Sequence, residues 1–120
     1  MKIAFTTSGN SLEAPLDSRF GRAQKFLIYD LEEKSIEIMD NEQNLNAAQG
    51  AGIQAAQSVV RSGAKILITG NCGPKAFRVL SAAGISIYNS AAATVAEALE
   101  QYLAVKLTAA SAANVEGHWS

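Results

Sequence analysis

The run Ile66-Leu67-Ile68, set between Lys65 and Thr69 and bounded by Gly63 and Gly70, narrows the fold more than any other feature of the sequence. It is short and has no polar face, so it reads as a strand covered on both sides, the pattern of a parallel sheet with helices on each face. Its flanks agree. Upstream, Ile53, Ala56, Val59 and Val60 recur at helical spacing and Gly63 supplies the stop. Downstream, Pro74 suits a first helical position, Phe77 and Leu80 face the core, and Gly84 ends the element. Ile85 to Tyr88 then reads as a further strand. Thr94 with Glu97 forms a capping box for a last helix carrying Val95, Leu99, Tyr102 and Leu103.

The first forty residues supply three more strands. In Lys2 to Thr7, Ile3 and Phe5 alternate with small residues before Ser8-Gly9-Asn10 breaks the pattern, and a polar loop runs on to about Arg22. Lys25 to Asp30 and Ser35 to Asp40 are joined by only Leu31-Glu32-Glu33-Lys34, which demands antiparallel pairing. Phe26-Leu27-Ile28-Tyr29 is apolar on both faces and belongs inside the sheet, whereas Glu37 between Ile36 and Ile38 marks a half-exposed outer strand. The order β, β-hairpin, α, β, α, β, α predicts an α/β fold of three layers, a five-stranded mixed sheet flanked by helices.

With 120 residues and 48% hydrophobic content, the chain can bury one core and has no room for two. Residues 1–106 read as the domain and 107–120 as a C-terminal tail without periodicity. Ten basic against eleven acidic side chains give a net charge of -1, so no broad basic field is available for nucleic acid. No stretch approaches the roughly 20 apolar residues of a membrane span. The first residues are also too short an apolar stretch for a signal peptide. The single cysteine, Cys72, fits a reducing compartment, and a cytoplasmic protein is expected.

In open α/β sheets, ligands bind beyond the carboxyl ends of parallel strands, where helix N-termini present N–H groups. Ser8-Gly9-Asn10, Gly70-Asn71-Cys72-Gly73 and Asn89-Ser90 should open on one such rim. Gly50-Ala51-Gly52 with Ala55 fits G-x-G-x-x-A, but about ten residues separate it from a strand that belongs to a hairpin, against the dinucleotide fingerprint. It reads as close packing at a helix start or as a nest of amides for an anion. Asp17-Ser18-Arg19-Phe20-Gly21-Arg22 sets two guanidinium groups beside a glycine; they suit oxyanions and weakly hydrated anions, or Arg19 pairs with Asp17 at the surface. Cys72 stands at a helix start near Lys75, where a thiolate is favoured and could ligate soft metals, and its alkylation near neutral pH should be fast; the alternative is a small buried hydrophobe. His118, in the tail, is a second candidate metal ligand or a solvated side chain. No cysteine pair, P-loop or G-x-S-x-G elbow is present, so an enzyme would have little to work with.

Taken together, Asp17 to Ala23 with Phe26 and Asp30, Gly50 to Ala56, Gly70 to Phe77, and Gly84-Ile85 resemble the dinitrogenase iron-molybdenum cofactor biosynthesis family, over residues 1 to about 106. That family includes NifX- and NafY-type carriers and the orange-protein type. The resemblance implies a ribonuclease H-like fold and a non-enzymatic protein that binds a preformed molybdenum-containing metal-sulfur cluster, Mo-Cu or Fe-Mo sulfide, between donor and acceptor proteins. On the residues, such a guest would be held by Asn10, Arg19, Arg22, Gly50, Gly52, Gly70, Asn71 and Gly73, with Cys72 and His118 as optional metal ligands. The alternative is a binding protein or enzyme for a small phosphate-bearing metabolite or nucleotide at the same rim.

Overall fold

The computed structural model describes residues 1–41 and 51–111. Five strands form one sheet in the order β3-β2-β1-β4-β5. They are β1 (Lys2–Thr7), β2 (Lys25–Asp30), β3 (Ser35–Asp40), β4 (Ile66–Thr69) and β5 (Ser86–Asn89). The hairpin pairs antiparallel, with Phe5 opposite Leu27 and Leu27 opposite Ile38. On its other side β1 runs parallel to β4, and β4 to β5. Among the described residues the helices are α1 (Ala51–Arg61) and α2 (Pro74–Ala82), which lead into β4 and β5, and α3 (Val95–Leu103), which follows β5. A short 3-10 turn, Phe20–Arg22, precedes β2.

Strand parity divides the core into two layers. Ala4, Phe26, Ile28, Leu67 and Ile87 face α1 and α2, and Phe20 closes this layer against Phe26 with ring centroids 5.5 Å apart. Ile3, Phe5, Leu27, Ile66 and Ile68 face α3 through Val95, Ala98 and Leu99. The three-layer mixed sheet is therefore as the sequence predicts. Gly63 and Gly84 have φ of 84° and 81°, the left-handed region that lets a helix stop without strain. Thr94 caps α3 by accepting from the Glu97 amide at 3.2 Å, while the Glu97 carboxylate reaches the amide of Ala93 at 3.4 Å.

The outer strand is more exposed than its alternation suggests. Ile36 is 41% exposed: among the described residues α3 is the helix on that face, and it packs on β1, two strands in from the sheet edge. In the hairpin turn, the Asp30 carboxylate accepts from the amides of Glu32 and Glu33, and the Glu33 and then the Glu32 bond hold its pKa below the usual carboxylate value. After α3 the chain runs antiparallel to β5, with the Ala110 amide donating to Ile87 at 2.7 Å. No helix among the described residues is long and apolar enough to cross a membrane.

Candidate functional site at the carboxyl edge of the sheet

Because β1, β4 and β5 are parallel, the turns that follow them share one edge. The helices α2 and α3 begin at this edge. So does α1, whose far end feeds β4 from below, where the Lys65 amide donates to Lys2. Ser8 to Asn10, Gly70 to Gly73 and Asn89-Ser90 follow these strands at this edge, and the start of α1 with the buried Gly52 lies toward it. Gly50 and His118 lie outside the described residues.

The segment from Pro15 to Phe20 is laid across the edge. Leu16 bridges Thr7, Pro15 bridges Thr94, and Arg19 bridges Asn71. Three buried threonines at the strand ends fasten it. The Thr6 hydroxyl donates to the Asp17 carbonyl at 2.8 Å and so must accept its 2.8 Å bond from Thr69, since a hydroxyl has one proton. Thr7 donates to the Pro15 carbonyl at 2.7 Å. At Gly70 the chain comes closer still: a Cβ there would lie 2.6 Å from the Ser18 Cα and 2.8 Å from its carbonyl oxygen, so only glycine admits the segment.

Against this frame lies a pocket of about 410 Å³ lined by Ser18, Gly70, Asn71, Asn89, Ser90 and Ala91. Its lining carries no charged side chain, and Ser18, Asn71, Asn89 and Ser90 bring polar groups to it. Asn89 donates one amide proton to the Gly70 carbonyl at 3.2 Å and keeps a second N–H. Ser90 donates to Gln101 of α3 at 2.6 Å and accepts from the amide of Ala92. Of the residues named from sequence, Gly70 and Asn71 line the pocket. The strand ends already put Asn89 and Ser90 on the rim, whereas Ser18, named in sequence only as a neighbour of Arg19, and Ala91 line the pocket through the crossing segment and the turn after β5.

The remaining candidates stand around it. Asn10 is exposed and its Oδ1 accepts from Lys25 Nζ at 2.8 Å, which brings to the same edge a cation that the sequence assigned only to a strand. Arg19 is exposed, and the surface pair with Asp17 does not form: Asp17 Oδ1 accepts instead from the Arg19 backbone N–H at 2.9 Å. Arg22 is half-buried at the end of the 3-10 turn and is engaged within the protein. Gly73 is buried and caps α2 with no side-chain bond, so the first amides of that helix have no side-chain acceptor from their cap.

The thiolate expected at Cys72 is overturned. The side chain is 1% exposed and sits in the apolar layer with Phe20, Ala76 and Leu80. Burial pushes its pKa up to about 12. A helix N-terminus lowers a thiol pKa only where the sulfur stays at the helix end in a polar setting, and this one turns inward, so desolvation wins. Among the described residues, no group of three His, Cys, Asp or Glu could hold a metal ion.

The family model described as dinitrogenase iron-molybdenum cofactor matches residues 1–105. The apo orange protein of Desulfovibrio gigas has a TM-score of 0.92 and 39% identity, covering 95% of this chain and 96% of that one. A Thermotoga protein described provisionally as a NifB protein has a TM-score of 0.84 and 34% identity, covering 97% and 98%. An uncharacterised protein of Methanocaldococcus jannaschii is 33% identical over 110 residues, 89% of each chain.

Proposed function

The chain belongs to the dinitrogenase iron-molybdenum cofactor family, and from that footing we propose that it binds a preformed molybdenum-containing metal-sulfur cluster at the carboxyl edge of the sheet and passes it on without catalysis. The observation that carries this reading is the gathering of amide donors at one edge beside an exposed guanidinium. Asn89, which keeps a side-chain N–H, lines a pocket of about 410 Å³ close to the start of α2, and Arg19 stands next to that pocket in the backbone bridge to Asn71. Sulfide ligands of a thiometallate spread negative charge over large, weakly hydrated atoms. Amide N–H groups and guanidinium suit such a surface better than an ammonium does.

With the Cys72 thiol buried and protonated, the grip is hydrogen bonding and charge, not ligation. That suits release to an acceptor protein, because no metal-protein bond has to break. The cargo is an Fe-Mo or Mo-Cu sulfide taken from a donor protein in the cytoplasm, on the ribonuclease H-like frame that the family resemblance implies.

Anaerobic titration with tetrathiomolybdate, with and without copper(I), tests the reading by visible absorbance and by metal analysis after desalting. Bound molybdenum near one cluster per chain is expected, and no retained metal at any ratio rejects it. A rise in melting temperature with nucleotides or sugar phosphates, and none with thiomolybdate, would turn the same pocket to phosphate-bearing metabolites.

A further inference from the structure

We propose that Asn71 is the positioning residue of this edge: it grips the backbone on both sides of Arg19 and so fixes where that guanidinium can reach. The inference rests on the cluster-binding reading for its consequence, but its geometry is independent of it. Asn71 holds residue 18 with its side chain and residue 20 with its main chain. Its Nδ2 donates to the Ser18 carbonyl at 3.0 Å, and its own carbonyl accepts from the Phe20 amide at 3.1 Å. Between these two bonds stands Arg19, in parallel bridge with Asn71.

The neighbouring groups leave the segment little freedom. The Asp17 amide donates to Thr6 at 2.8 Å, the Asp17 carbonyl takes the Thr6 hydroxyl, and Asp17 Oδ1 takes the Arg19 amide. Gly70 brings β4 within contact of Ser18. These bonds start from backbone or from a residue anchored in β1, whereas that of Asn71 Nδ2 starts from a side chain at the end of β4. The Asn71 amide is thus a side-chain link from the β4 end to the arginine segment, and Asn71 also lines the pocket. Such a bond at an exposed site adds little to global stability. Its effect is to hold an otherwise mobile long side chain at a fixed origin, which lowers the ordering cost when an anion is bound.

The test compares the wild type with Asn71→Leu, Arg19→Gln and the double variant, using thiomolybdate titration, thermal melting and hydrogen exchange at the Phe20 amide. Asn71→Leu removes the donor while keeping the number and branching of the side chain's heavy atoms. It should speed exchange at Phe20, leave the melting temperature within a few degrees, and weaken thiomolybdate binding about two- to fivefold, the range of one exposed charge contact. Arg19→Gln should weaken binding to the same extent, and the double variant no further, because Asn71 acts through Arg19. Full additivity of the two losses, or unchanged exchange at Phe20 in Asn71→Leu, overturns the proposal. If the wild type binds no thiomolybdate, the cluster reading fails by itself, and exchange at Phe20 still decides whether Asn71 positions the segment.

Discussion

Replacing Gly70 with alanine adds one methyl group where two backbones touch. Its Cβ would lie 2.6, 2.8 and 3.1 Å from the Ser18 Cα, carbonyl oxygen and carbonyl carbon, none of which is a flexible side-chain end that can swing away. Two responses are open. Either the backbones separate while keeping their bonds, an overpacking strain of about 1–3 kcal/mol, or the segment lifts off. In the second case the Phe20–Asn71 and Asn71–Ser18 hydrogen bonds are lost at about 0.5–1.5 kcal/mol each. Alanine also stiffens the unfolded chain, which returns about 0.4–1 kcal/mol. The net loss is therefore about 0–2.5 kcal/mol with a midpoint of about 1 kcal/mol, a fall of roughly 3–5 °C in melting temperature at that midpoint for a domain of this size. Calorimetry measures the sum, and hydrogen exchange at the Phe20 amide separates the routes, since only lift-off exposes it. A Gly70→Ala variant more stable than the wild type would refute the close approach of β4 to the crossing segment.

Three further outcomes follow from single residues. Thr94→Ala removes the cap that accepts from the Glu97 amide and should cost about 1 kcal/mol of stability, read as a fall of roughly 3–5 °C in melting temperature. Arg19→Gln, at an exposed side chain without a described ion-pair partner, should leave the melting temperature unchanged while weakening thiomolybdate binding; a lower melting temperature would show a structural role. For Cys72, the folded thiol keeps its proton to about 12 while the unfolded one loses it near 9.0. The folded state thus binds more protons in that window, and stability should fall as pH rises through it, less steeply in Cys72→Ala. Iodoacetamide at neutral pH should react with Cys72 only as fast as the protein opens, and a rapid reaction in the folded state would contradict its burial.

The fold could be read from sequence because its determinants are local. Strand parity in Ile3-Ala4-Phe5 and Ile66-Leu67-Ile68, a four-residue hairpin link, and stops at Gly63 and Gly84 each act within a few residues, and together they leave one topology. The edge of the sheet was legible for the same reason, since it follows from which strands are parallel. What lies across the edge was not. Asn71 meets Ser18 53 residues away in sequence, and nothing in either residue announces the other. Cys72 shows a second limit: its place at a helix start fixes where its Cα stands but not which way its Cβ points, and one position along the turn separates the rim from the core. Ile36 shows a third limit, that an apolar side chain on a half-exposed outer strand is buried only if a helix extends over it.

The two ends that flank the pocket differ in what they leave unsatisfied. On the β5 side the turn is closed by its own side chains: Ser90 accepts from Ala92, Thr94 from Glu97, and the Glu97 carboxylate adds a negative charge at the start of α3. On the β4 side the cap of α2 is a glycine followed by proline, with no acidic residue in the first turn. A positive helix end with no anionic neighbour attracts an anion more strongly than one already neutralised. An anion in the shared pocket is thus drawn toward Gly70 to Lys75 and away from Ala92 to Glu97. Titration with thiomolybdate, followed by amide nitrogen and proton shifts, should move the first group more than the second, and Glu97→Gln should tighten binding slightly. Shifts confined to residues 92–97 would show that the cap of α3 opens to receive the guest, and that the asymmetry of the edge does not govern where it sits.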